Sequence, residues 1–237
     1  MRLSSLLSKL LLLCLSLGVA GILVATFAFI TAYPQLPPVT ALTDYSFKLP
    51  LRIYSREGIL IGEFGQENRE FIGIESVPSL IKNAIIASED EHFLEHHGID
   101  FYGIGRAAIA NLSARGARQG ASTITMQVAR NFFLSSEKTF TRKFNEALLA
   151  IKIERHLTKD QILELYINQI YLGQRAFGFA AASKVYFGKP LSQASLAEIS
   201  MLSGLPKAPS KYNPVVNLKR AKQRQSYVLN RMFGLGF

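Results

Sequence analysis

The chain has 237 residues, 49% of them apolar and 19% charged, which excludes a disordered tail and admits a membrane anchor plus one domain of ordinary size. Lys and Arg outnumber Asp and Glu by 27 to 17, and this excess suits nucleic acid, anionic lipid headgroups or a phosphorylated substrate. No RNA-binding signature or zinc-finger spacing is present, so membrane lipid or phosphate is the expected partner and no nucleic acid is.

In chain order, residues 1–9 form a short tail with Arg2 and Lys9. No charged residue lies between Leu10 and Thr43. Residues 10–33 are long enough to cross a bilayer as a helix, which needs roughly 20 apolar residues. A cleaved signal would have a shorter apolar region and a small-x-small site; a retained anchor is therefore expected. The positive-inside rule puts the N-terminus in the cytoplasm and the remainder on the outer face of the membrane. The lone Cys14 lies inside this run, so the chain can form no internal disulfide.

Residues 34–75 read as an extended, proline-rich linker followed by a β-hairpin over 51–64 with its turn at Arg56-Glu57-Gly58. Everything afterwards is helical in pattern. Pro78 opens a helix that runs out near Ser88 and leaves Glu89 at or just after its end. Thr158 and Gln161 make a capping box for a helix to about Asn168. Ser195 to Ser203 forms an apolar helix stopped by Gly204 and Pro206. The expected organisation is a catalytic domain over 76–215 and a C-terminal basic helix within 216–237.

Three polar segments interrupt this apolar chain. In GASTITMQVARN (120–131), Thr123, Gln127, Arg130 and Asn131 share about a third of a helix circumference. That stripe is either a phosphate-binding face or a solvated one with Ser122 as N-cap. In RKFNE (142–146), Arg142 and Glu146 are spaced i, i+4. They form either a surface salt bridge worth under about 1 kcal/mol or, with Lys143, a cationic site with Glu146 held ionised. Glu154 and Glu164 read as surface or capping charges.

EDEHFLEHHG (89–98) puts four acids and three histidines around Phe93. Such crowding lifts a carboxylate toward the range a general base needs. A rival reading takes His92, Glu95 and His96 as the inverted zinc-peptidase motif H-x-x-E-H. In a third, His96 or His97 merely caps a helix before Gly98.

Together the segments resemble the peptidoglycan glycosyltransferase domain of class A penicillin-binding proteins and monofunctional transglycosylases. Glu89, Asp90, Phe93, His96 and Gly98 meet E-D-x-x-F-x-x-H-x-G. Gly120, Ser122 to Thr125, Gln127 and Asn131 meet the second motif, with Arg130 where Lys is usual. Arg142, Lys143 and Glu146 meet R-K-x-x-E. Residues 162–189 and 200–214 resemble the fourth and fifth motifs, and the likeness spans about residues 50–233.

The resemblance implies a mainly α, lysozyme-like domain with a small membrane-facing jaw. Either Phe101-Tyr102-Gly103-Ile104 or Asn131-Phe132-Phe133-Leu134 would seat that jaw in the bilayer. The implied activity is inverting transfer of the growing glycan strand to the 4-hydroxyl of lipid II on the periplasmic face of a bacterial cytoplasmic (inner) membrane, with other cell-wall synthesis proteins as partners. The alternative from a different class is a non-catalytic lipid-pyrophosphate-binding scaffold of the cell-wall machinery. Glu89 would be the general base and Glu146 the second catalytic carboxylate, positioning the cations. Asp90, Phe93, His96, Ser122, Thr123, Gln127, Arg130, Asn131, Arg142 and Lys143 would bind substrate. No cofactor is required; Glu146 is the candidate ligand should a divalent cation (Mg2+ or Mn2+) take part. Residues 51–70 look like the beginning of a bifunctional penicillin-binding protein, yet the chain stops at Phe237, as a fragment or natural truncation would. Ser79/Lys82 and Ser135/Lys138 match S-x-x-K without a following K-T-G, so no transpeptidase activity is expected from these residues.

Overall fold

The computed structural model describes residues 2–43, 51–65, 67–113, 120–134 and 139–237. Helix α1 spans Arg2–Ala32. Residues Leu11–Gln35 have a mean hydropathy of 2.5, long and apolar enough to cross a membrane. The chain then departs from an extended linker. After a 3-10 turn at Tyr33–Gln35 comes the one-turn helix α2 (Thr40–Thr43), and Leu36, Val39 and Leu42 are buried in the domain core. Apolar side chains at 36, 39 and 42 recur every three residues, which puts them on one face of a turn-rich segment and favours packing over solvation.

Strands β1 (Leu51–Tyr54) and β2 (Leu60–Phe64) pair antiparallel, Leu51 opposite Phe64. Gly58 takes φ +81 in the connecting turn, and the Ser55 hydroxyl accepts from the N–H groups of Glu57 and Ile59. Among the described residues the rest is mainly helical, but β3 (Asn68–Arg69) pairs parallel with β4 (Ala176–Phe177), and Tyr171 forms an antiparallel bridge to Phe177. Two-residue strands are too short for a period-two pattern to register in the sequence.

The remaining helices are α3 (Ser79–Glu89), α4 (Phe101–Ser113), α5 (Ile124–Phe133), α6 (Phe140–Glu154) and α7 (Lys159–Gln169). They continue with α8 (Phe179–Phe187), α9 (Leu196–Gly204) and α10 (Leu218–Gly234). The capping box expected at Thr158/Gln161 is present, and Ser195 with Glu198 makes a second. Thr123, not Ser122, caps α5, its hydroxyl accepting from Met126 N.

Helix α3 packs on α9 and α10, and α5 on α6 and α7. Ile81, Ile85, Phe93, Ile124, Leu149, Ile153, Ile162, Tyr166, Phe179 and Ile199 are fully buried among them. Glu164 is more than a surface charge: it accepts from Ile74 N at 2.7 Å, while Asn168 bonds both backbone groups of Ile72. These bonds fasten the segment before α3 to α7. Of the two apolar stretches weighed for the bilayer, Phe101 and Tyr102 are 77% and 73% exposed, whereas Phe132, Phe133 and Leu134 pack on the core.

Candidate active site

Glu89 is the last residue of α3, and its side chain is only 10% exposed. Gln127 Nε2, from the buried face of α5, donates to Glu89 Oε2 at 3.0 Å. Arg224, from α10, lies 3.5 Å from Glu89 Oε1, a long and weak contact. Burial raises the Glu89 carboxyl above the ordinary carboxylate range, and the Gln127 donor and the charges of Arg224, Lys207 and Arg130 only partly offset it. Behind it the Tyr166 hydroxyl is held neutral by its own burial and by the Glu89 charge.

The next residue does different work. Asp90 accepts from Ile124 N, a free donor at the start of α5, at 2.9 Å, and both its oxygens lie 3.0 Å from His96 Nε2. His96 Nδ1 accepts from Gly98 N, so Nε2 carries the proton that Asp90 receives. His92 instead meets Asp100, whose other oxygen accepts from Gly103 N and caps α4. Burial pushes Asp100 up, but the Gly103 N–H and His92 outweigh it and hold the carboxyl below its usual range. The two histidines of H-x-x-E-H thus serve different carboxylates and Glu95 is exposed; among the described residues no cluster of His, Cys, Asp and Glu could hold a metal.

Gly98 explains its own presence. It has φ +94, and a Cβ there would lie 2.8 Å from the Ala150 carbonyl of α6. Thr123 Oγ1 donates to Gly98 O at 2.7 Å, closing the loop 90–98 onto the start of α5.

On α6, Glu146 is 1% exposed and accepts from Arg142 and from Lys143 Nζ, the latter at 2.8 Å. Lys143 also donates to Ser122. Half-burial and the guanidiniums of Arg130 and Arg142 push Lys143 down to about 8. Its counter-ion Glu146 is shared with Arg142, which weakens the opposing pull. Both Glu146 oxygens are engaged by cations, so a metal ion at Glu146 would have to displace one of them.

These elements enclose a cleft of about 650 Å³ lined by Glu89, Asp90, Ser122, Thr123, Gln127 and Arg130, and also by Glu91, Asp100, Arg106, Lys207, Tyr212, Arg224, Tyr227 and Arg231. Arg142, Lys143 and Glu146 stand behind Ser122 and do not line it; nor do Phe93, His96 and Asn131. Phe93 is wholly buried.

The sequence model described as Transglycosylase matches residues 57–233. The chain belongs to the transglycosylase family. Penicillin-binding protein 1A of Neisseria cinerea is 56% identical over 220 residues, covering 93% of this chain and 28% of its own length. Penicillin-binding protein 1A of Pseudomonas aeruginosa is 48% identical over 224 residues, covering 94% and 27%. A crystal structure of Penicillin-Binding Protein 1A from Haemophilus influenzae is 28% identical, with a TM-score of 0.43 over 79% of this chain and 18% of that one. The chain thus spans less than a third of the length of these relatives.

Sequence reasoning missed the far wall of the transglycosylase cleft. Lys207 lies in the quoted segment 200–214 without an assigned role, and Arg224 and Arg231 lie on α10, read only as basic. Arg224 crosses the α9 terminus at Gly204, where a Cβ would strike its side chain at 2.8 Å, and its guanidinium stacks 4.3 Å from the Tyr227 ring. Arg231 and Arg106 both pair with Glu91, tying α10 and α4 to the loop after Glu89. The signal available was a helix whose arginines at 220, 224 and 231 alternate with buried Ala221, Val228 and Met232.

Proposed function

We propose that this transglycosylase polymerises lipid II, transferring the growing glycan chain from its polyprenyl pyrophosphate to the 4-hydroxyl of an acceptor lipid II. The observation that supports this most is Glu89: a desolvated carboxylate with a raised pKa, oriented by Gln127 and facing a cleft rich in cations. Gln127 occupies Oε2, so Oε1, with only its long contact to Arg224, takes the acceptor proton. The freed sugar oxygen attacks the donor's anomeric carbon from the face opposite the pyrophosphate. The new C–O bond forms as the bond to the phosphate oxygen breaks, and the configuration inverts from α to β through an oxocarbenium-like state.

The departing diphosphate needs charge stabilisation more than a strong acid. Arg130 supplies it from the cleft wall, with Arg142 and Lys143 arranged around Glu146 behind Ser122. No cofactor enters this reading, since these fixed cations supply the positive charge. Asp90 and His96 hold the loop and the α5 terminus, and Ser122, Thr123 and Gln127 face the substrate. Helix α1 anchors the chain in the cytoplasmic membrane with the cleft on the outer face. The exposed Phe101-Tyr102 end of α4 turns toward the lipid as part of a jaw on a lysozyme-like domain.

The test is polymerisation of lipid II by detergent-solubilised protein, compared with Glu89→Gln. Polymer from the parent and none from the variant is expected; equal polymer from both refutes Glu89 as the base.

A further inference from the structure

Lys159 lies at the first position of α7 and does not line the cleft. Its ammonium nonetheless reaches the loop that follows Glu89. Nζ donates to the His96 carbonyl at 2.6 Å and to Glu154 Oε1 at 2.7 Å, and sits 4.5 Å above the Phe93 ring. Glu154 is 5% exposed, and the same oxygen accepts from the fully buried Thr125 hydroxyl of α5 at 2.6 Å. The sequence offers Glu154 only as a surface or capping charge; the structure gives it two donors from two other helices, the buried Thr125 hydroxyl and the partly exposed Lys159 ammonium.

We propose that Lys159, held by Glu154, is a positioning residue for Glu89: it fixes from behind the cleft both supports of that carboxylate. One support is the loop 90–98, which continues directly from Glu89. Lys159 grips it at the His96 carbonyl, between the Asp90–His96 bond and the Gly98 packing on α6. The other is α5, whose Gln127 orients Glu89 and whose Thr125, two residues earlier, is bonded to Glu154. A single ammonium–carboxylate pair therefore sets the spacing between the base and the amide that orients it. The inference rests on the reading of Glu89 as base, but the geometry it describes is measurable without turnover.

An ion pair whose carboxylate is buried and whose ammonium is only partly exposed is weak as a source of stability and well suited to specifying one arrangement of the elements it joins. Lysine is required for its reach and three donors, not for contact with substrate. Arginine, of similar length and charge, can still serve Glu154 and the carbonyl together.

The experiment compares full-length Lys159→Met and Lys159→Arg with the parent in detergent, by amide hydrogen exchange and by steady-state lipid II polymerisation. Glu89→Gln is run alongside. Lys159→Met is expected to speed exchange in residues 90–98 at least tenfold while α8 amides keep their protection. It should lower kcat at least tenfold with KM within about twofold, and Lys159→Arg should restore both within about threefold. Unchanged loop exchange overturns the proposal, as does equal loss of protection in α8, which signals general destabilisation. A loosened loop with undiminished kcat also overturns it. Full activity of Glu89→Gln would instead bring down the base assignment, whatever the exchange data show for Lys159.

Discussion

Gln127 Nε2 donates to Glu89 Oε2 at 3.0 Å, and this bond joins the end of α3 to the buried face of α5. It is the contact that aims the carboxylate and favours its ionised form against the cost of burial.

Removing that donor should move the pH dependence. Glu89 already titrates above the ordinary range because it is buried, so the base form is lost as pH falls through a raised pKa. Gln127→Leu takes away a bond to the charged form and pushes the pKa further up. The acid limb of kcat against pH is expected to shift toward higher pH, with lower activity at pH 6 than at pH 8 relative to the parent. An acid limb at the parent position would contradict the role given to this bond.

Glu89→Gln should abolish polymerisation and yet stabilise the fold near neutrality. A folded-state pKa above the unfolded value means that stability is fully present below the unfolded pKa, about 4.3 for Glu, and is lost as pH rises through the folded one. The neutral amide escapes that loss. A higher Tm than the parent's at pH 7, with the difference shrinking to nothing below about pH 4, is the expected calorimetric result.

Arg130 stands where the family usually has Lys, and it lines the cleft beside Glu89. Arg130→Lys keeps the charge and should keep polymerisation within about tenfold, whereas Arg130→Met should cost about 10²–10³ in kcat, the size typical of a lost transition-state donor. Near-total loss in the lysine variant would show that the planar fork, not the charge, is needed.

Lys143 gives the alkaline side. Held down to about 8, its ammonium loses a proton as pH rises through that value, and with it a cation for the diphosphate. The limb should appear near pH 8 in kcat/KM, which reports free enzyme, and later in kcat, because bound pyrophosphate favours the charged form. Lys143→Arg should extend activity to higher pH; an unaltered alkaline limb would exclude Lys143 as its source.

Gly98→Ala tests the loop itself. A methyl group there meets the Ala150 carbonyl at 2.8 Å, from a backbone with φ +94. Destabilisation of roughly 1–3 kcal/mol is expected, read as a lower Tm, with loss of polymerisation because the loop 90–98 must move.

Local chemistry was legible in the chain. The Thr158 box depends on residues three apart, the hairpin turn on Gly58, and the long apolar helix α1 on an uninterrupted apolar run, so each can be read in place. The helix bearing Arg142, Lys143 and Glu146 likewise pairs its charges at i, i+3 and i, i+4. Longer relationships were not legible. Arg224 reaches Glu89 across 135 positions and Lys159 reaches His96 across 63, distances at which no periodicity connects residues. Phe93 belonged to the quoted motif, but its burial beneath Lys159 is a matter of packing.

The acidic cluster after α3 shows where the boundary falls. Its sequence determined that several carboxylates and histidines would crowd one turn, and therefore that some would be perturbed. Only the tertiary structure decided which. Glu91 is taken by Arg106 and Arg231, Glu95 remains in water, Asp90 is spent on His96 and the α5 terminus, and Glu89 is left facing the cleft with its nearest cation a long 3.5 Å away. The reason is physical: a carboxylate's pKa depends on the water removed and the charges brought near it, and α5, α9 and α10 do both from far along the chain.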